Sequence, residues 1–134
     1  MTLTAEFIRT TRDKDFKVMA GKDTMILGSL AYGSVGAIAS TANIVPELVV
    51  DIYNKYIEGD IEGSCEAQFK LTPFRNTFDK VSFPAGTKDA CNLIGLNVGN
   101  SIKPNTTASP QVLDEMKEIL TDLGYIKEKE LMEA

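Results

Sequence analysis

The 134-residue chain contains no histidine and no tryptophan. The missing imidazole removes every Ser-His-Asp or Cys-His nucleophile, and every His-ligated metal, that these side chains could assemble alone. Any chemistry must use lysine, carboxylates, hydroxyls or backbone groups. Cysteine is scarce: Cys65 and Cys91 lack C-x-x-C spacing, which argues against a dithiol redox motif or a structural zinc. They read as two reduced, partly buried thiols of a cytoplasmic protein. Positive charge is in deficit, with 14 Lys and Arg against 19 Asp and Glu and a formal net charge of −5. Nucleic-acid backbones and anionic membranes both need a basic face, so small molecules and proteins are the expected partners. No long apolar run is present either. The stretch 24–46 is nearly uncharged, but Gly28, Gly33, Gly36 and several polar residues interrupt it too often for a membrane span. Behind Met1, the residues Thr4, Glu6, Arg9 and Arg12 break the pattern that a signal peptide requires.

What remains is the composition of an ordinary globular protein, 43% hydrophobic and 25% charged, at a length that suits one domain. Ala5, Phe7, Ile8 and Thr11 predict a short amphipathic helix with Thr4 as its N-cap. The run 16–20 (Phe-Lys-Val-Met-Ala) predicts a strand ending at Gly21-Lys22-Asp23, with Asp23 capping a helix from Thr24 to about Tyr32. Residues 37–40, small and apolar, predict a buried second strand. A third helix opens at Pro46 and stops at Gly59. Strands alternating with helices point to parallel β/α units. Two strands alone, however, would expose two edges and half a core, so something must complete the sheet.

Beyond Asp60 the pattern is helical: Ile61 to about Val81 with Pro73 as a kink, Thr87 to Ile94, and Pro110 to about Leu123. Segments 82–86 and 97–109 read as loops, Gly95 and Gly124 as helix C-caps, and the charged tail 127–134 is expected to fray. Phe69, Phe74 and Phe78 recur at roughly helical spacing and are expected in the core.

Gly21-Lys22-Asp23, followed by Gly36-Ala37-Ile38-Ala39-Ser40-Thr41-Ala42-Asn43-Ile44-Val45-Pro46, resembles the dihydrodipicolinate synthase and N-acetylneuraminate lyase family. The likeness continues through Tyr56-Ile57-Glu58-Gly59-Asp60, Lys88-Asp89-Ala90 and Leu93-Ile94-Gly95 to Lys103-Pro104. It implies an α/β fold: a partial (β/α)8 TIM barrel, of a kind that takes about 250 residues when complete. Residues 1–60 would supply the last two strands and their helices, and residues 61–134 a three-helix C-terminal extension, making the chain mostly helical.

In that family a desolvated lysine on the sixth strand forms a Schiff base with pyruvate or another 2-oxo acid, and the resulting enamine reacts with an aldehyde. By the resemblance, that lysine, a proton-relaying tyrosine and a carboxylate-binding Thr-Thr loop all precede the segment seen here. No catalytic residue, cofactor or metal is therefore assigned, and the chain alone is expected to be inactive. Four residues match substrate-contacting positions: Gly21 and Asp23 after the seventh strand, Ile38 through its backbone carbonyl on the eighth, and Ser40. Each has a structural alternative, a turn for Gly21, a helix cap for Asp23 and a locally satisfied hydroxyl for Ser40. Thr24, where sialic-acid lyases carry glutamate, counts against that substrate. Dihydrodipicolinate synthesis or a short 2-keto-3-deoxy sugar-acid aldolase fits as well. Lys22 reads as solvated, and Lys88 and Lys103 as structural salt-bridging residues; Tyr53 and Tyr56 receive no chemistry. The expected partner is the missing N-terminal half-barrel, and the family implies a homo-oligomer, a dimer or tetramer of the complete protein. A different class stands beside this reading: a short half-barrel that self-associates and serves as a binding or assembly module without catalysis.

Overall fold

A computed structural model describes residues 2–127. Of the tail 127–134 expected to fray, all but Lys127 lie outside the described residues. The chain divides into two compact units, one formed by Met1–Ala42 with Pro46–Thr72 and the other by Asn43–Val45 with Pro73–Ala134, over their described residues. This division by compactness differs in kind from the boundary expected after Asp60, between a barrel part and an extension.

In the first unit, α1 (Thr2–Thr11) starts before the expected cap, so Thr4 lies within the helix. An Arg9–Glu6 ion pair at 2.6 Å spans one turn of it, while Leu3 and Phe7 remain exposed. The two expected strands shrink to a single parallel bridge between Ala20 and Ala37. There the Ala20 N–H donates to the Gly36 carbonyl and the Ile38 N–H to the Ala20 carbonyl, both at 2.8 Å, and the Val35 N–H donates to Val18 at 2.9 Å. A ladder extends when each strand finds successive partners, and two short strands with one neighbour apiece have few to find. Ser40 leaves the second strand altogether and opens a 3-10 turn, Ser40–Asn43.

The helix expected over 24–32 is likewise shorter, a 3-10 turn at Asp23–Met25 followed by α2 (Ile26–Ala31). α3 (Pro46–Glu58) begins at its proline as expected, and Gly59, at φ 86°, follows its last residue. Ile26 and Leu30 of α2, Ile52 of α3, and Ala67 and Leu71 of α4 (Ile61–Thr77) are buried. Polar groups stitch these helices together. The Tyr56 hydroxyl donates to the Leu30 carbonyl at 3.0 Å and the Ser64 hydroxyl to the Ile52 carbonyl at 2.7 Å.

α4 contains Pro73, where the compact units divide. It ends at Thr77 rather than Val81, and Phe78–Lys80 form a 3-10 turn. The buried Thr77 hydroxyl donates to the Phe74 carbonyl at 2.7 Å, a local bond that competes with regular helix. Phe74 and Phe78 are buried and meet edge to face, with centroids 5.1 Å apart. Phe69 is 62% exposed and does not join them. Five residues back from Phe74 falls on another helical face, whereas a four-residue step stays on the same one.

In the second unit α5 (Ala85–Leu93) begins two residues before expected, and α6 (Pro110–Asp122) has Ser109 as its N-cap, accepting from the Val112 N–H. Gly95 and Gly124 follow these helices at φ 84° and 81°, as C-cap glycines do. Three side chains of α5 hold the loop after it. Lys88 donates to the Asn100 carbonyl at 2.9 Å, Asn92 to Gly99 at 3.2 Å, and the Asp89 carboxylate accepts from the Ala108 N–H at 2.8 Å. The partner of Lys88 is thus a backbone carbonyl, not the expected carboxylate, because the loop brings peptide oxygens within its reach. Among the described residues no helix is long and apolar enough to cross a membrane.

Candidate functional site

The four positions singled out from the sequence gather at one end of the parallel bridge. Ala20 and Ile38 are joined by the bridge itself. Gly21 follows Ala20, and apart from its chain neighbours no heavy atom lies within 4 Å of where a side chain on it would begin. The Ile38 side chain is 73% exposed. In this first unit both residues therefore lie exposed where the strands end, with the Ile38 N–H held by the bridge.

Asp23 behaves differently. It is 3% exposed, and it holds neither N-cap position: Lys22 precedes the 3-10 turn and Met25 precedes α2. The Asp23 Oδ2 accepts instead from the Thr41 N–H at 2.9 Å, from the Thr41 hydroxyl at 2.7 Å and from the Ser40 hydroxyl at 3.3 Å. A buried carboxylate is costly unless several donors satisfy it, and three converge here from the segment after the second strand. The expectation that Asp23 caps a helix is corrected on this point. The Asp23 side chain crosses to the neighbouring chain end, because Thr41 offers both a backbone and a hydroxyl donor within reach. Ser40, read as a strand hydroxyl, lies in the turn and donates to the same carboxylate.

Two participants went unnamed in the sequence. Thr41 sits inside the motif, adjacent to Ser40, but 18 residues from Asp23 in sequence. Gln68 offered no hint. It lies in the middle of α4, buried, and its Nε2 donates to the Asp23 carbonyl at 3.0 Å while its Oε1 accepts from the Leu27 N–H at 3.1 Å. Lys22 is exposed, on extended backbone at φ −116° and ψ 113°. Tyr56 has the structural role given above, and Tyr53 lines an apolar recess with Met19, Val35 and Val49.

Of the two thiols, Cys65 is half-buried and Cys91 buried, and burial pushes the Cys91 thiol up from its ordinary value. Among the described residues no three His, Cys, Asp or Glu side chains cluster as a metal site would need. The exposed backbone at Gly21 can offer hydrogen-bonding groups to a small molecule, while Asp23 Oδ2 is engaged by the donors of Ser40 and Thr41.

The family model described as the dihydrodipicolinate synthetase family matches residues 2–123. A 4-hydroxy-tetrahydrodipicolinate synthase of Thermoanaerobacter sp. (strain X514) is 32% identical over 115 residues, covering 86% of this chain and 39% of that protein. The crystal structure of the dihydrodipicolinate synthase from Thermotoga maritima superposes with a TM-score of 0.87 at 26% identity, over 92% of this chain and 42% of that one. A prophage protein of the same family from E. coli K12, solved in complex with pyruvate, shares the fold at 21% identity and a TM-score of 0.79, over 92% of this chain and 43% of that one. The chain spans about two fifths of the length of these proteins.

Proposed function

The chain belongs to the dihydrodipicolinate synthetase family, and from that premise we propose that it supplies the C-terminal part of a Schiff-base lyase or synthase acting on pyruvate or another 2-oxo acid and an aldehyde. Residues up to 60 would complete the barrel as its last two β/α units, and residues from 61 onward would form the helical extension. The active site of such barrels lies at the C-terminal ends of the strands. Gly21 and Ile38 would stand at those ends, and their exposure beside the Ala20–Ala37 bridge is the observation that carries the reading. Asp23 and Ser40, engaged with each other and with Thr41, would shape the wall rather than touch the substrate strongly.

The chemistry would be shared between two segments. A lysine elsewhere in the barrel condenses with the 2-oxo acid, releasing water, and the iminium loses a proton from the adjacent carbon to give an enamine. The enamine adds to the aldehyde carbonyl, forming the carbon–carbon bond, and hydrolysis returns the lysine. This chain contributes no group to those proton transfers. Its share is to bound the cavity and to orient the aldehyde partner with main-chain groups.

The test is borohydride trapping. The chain is incubated with pyruvate and sodium borohydride, alone and mixed with the N-terminal part of the Thermoanaerobacter synthase that it does not match. A covalent pyruvyl adduct on the N-terminal part, formed only in the mixture, is the expected result by mass spectrometry. An adduct on this chain by itself, or none in a mixture that has associated, would count against the proposal. A second reading, self-association as an assembly module, is favoured by the exposure of Phe16, Met19, Val35 and Ile38 beside unextended strands.

A further inference from the structure

Gly21 and Ile38 lie within a closed circuit of covalent and hydrogen bonds. From the Ala20 carbonyl, which accepts from the Ile38 N–H at 2.8 Å, the chain runs through Gly21 and Lys22 to Asp23. The Asp23 carboxylate accepts from the backbone and the hydroxyl of Thr41 at 2.9 and 2.7 Å. From Thr41 the chain returns through Ser40 and Ala39 to Ile38. Each exposed position is therefore held on one side by the bridge and on the other by Asp23.

The Asp23 end of the circuit is anchored from a distance. Gln68 donates to the Asp23 carbonyl and accepts from the Leu27 N–H, so a single buried amide on α4 fixes Asp23 and the start of α2 together. Both ends of the amide are in use, and a flipped amide would lose both bonds at once. Gln68 is 45 residues from Asp23 in sequence, so this contact exists only when the first half of α4 is packed in place within the first unit.

We propose that Gln68 and Thr41 are positioning residues that act through Asp23 to set the backbone at the exposed residues Gly21 and Ile38. The functional meaning rests on reading those two positions as substrate-facing; the mechanical coupling does not. A simpler role for Gln68 would be to accept from the Leu27 N–H and so support α2, with no influence on residues 38–41.

Gln68→Glu separates the two roles. Glutamate keeps an acceptor for the Leu27 N–H but loses the donor to the Asp23 carbonyl and sets an oxygen against it. Amide hydrogen exchange, followed by NMR on the 134-residue chain, is expected to quicken roughly fivefold at Thr41 and Ile38, while the α3 amides of Tyr56 and Ile57 keep their rates. Thr41→Val, which removes the hydroxyl donor, is expected by reciprocity to quicken exchange at Leu27, and Thr41→Ser to restore it. Exchange altered at Leu27 alone in Gln68→Glu, no change at either site, or an equal loosening of α3 would each overturn the proposal. So would a Thr41→Val effect confined to its own segment. The borohydride assay fails or succeeds independently: coupling without an adduct leaves the positioning device standing and removes the substrate reading, and an adduct without coupling does the reverse.

Discussion

Asp23 gathers three donors on one buried oxygen, and its substitution should report how much the circuit depends on them. Asp23→Leu leaves the buried Thr41 N–H and hydroxyl without an acceptor, a cost of roughly 2–4 kcal/mol. Asp23→Asn retains a carbonyl oxygen that can face Thr41, and about 1 kcal/mol is expected. Urea unfolding monitored by circular dichroism gives both values, and a leucine variant within about 0.5 kcal/mol of the parent would remove Asp23 from its central place. Cys91 makes a second prediction, one that depends on pH. Burial raises its folded-state pKa above the ordinary value of 9.0, so on raising the pH the unfolded chain loses the thiol proton first. Stability from this group is complete below about pH 9 and declines as the pH rises toward the folded pKa. The difference in urea midpoint between the parent and Cys91→Ala should therefore shift in favour of the alanine variant from pH 8 to pH 10. A difference independent of pH would show that the buried thiol does not titrate as its surroundings require.

At the scale of elements, the start of α4 allows a test of capping against space. The Asp60 Oδ1 accepts from the Gly63 N–H at 2.8 Å, and a methyl group on Gly63 would collide with that same carboxylate. Gly63→Ala is thus expected to destabilise by about 1 kcal/mol, the value of a displaced cap. In an Asp60→Ala background the collision disappears and the helix propensity of alanine should make the same change stabilising by up to about 1 kcal/mol. Thermal melts of the four proteins in this cycle settle the sign, and equal effects of Gly63→Ala in both backgrounds would refute it. The same elements show what the sequence makes legible. Helix ends were readable at Pro46, Gly59, Gly95, Pro110 and Gly124, because caps and breakers act within a few residues of themselves. The strands were not. Whether 16–20 and 37–40 become a ladder depends on neighbours the local sequence does not contain, and only the Ala20–Ala37 bridge forms. Phe69 was misjudged because a five-residue step was counted with a four-residue one. The motif at Gly21, Asp23, Ile38 and Ser40 was visible as a cluster, but the partners of Asp23 were not, since Thr41 lies 18 residues away and Gln68 45.

For the whole molecule, the first unit combines unextended strands with apolar side chains left in water. Phe16, Met19, Val35, Ile38 and Val50 are between 45% and 73% exposed, and Met19, Val35, Val49 and Tyr53 border an apolar recess of about 260 Å³. In a parallel bridge the residues on either side of Ala37 turn their peptide groups toward the partner strand, so those of Ala37 itself face the other edge. Such an edge beside such a surface favours association with whatever strand is available. In the absence of a complementary segment, another copy of the chain is the available source. The 134-residue chain by itself should accordingly show a mass in light scattering that rises with concentration, and Ile38→Lys with Val35→Lys should lower it, because buried lysines oppose edge pairing. Adding the unmatched N-terminal part of the synthase should compete with that self-association if the barrel reading is right, and leave it unchanged if assembly between copies is the protein's own purpose. A chain that stays monomeric at every concentration while melting cooperatively would contradict both, since it would show that the exposed strands and recess need no partner at all.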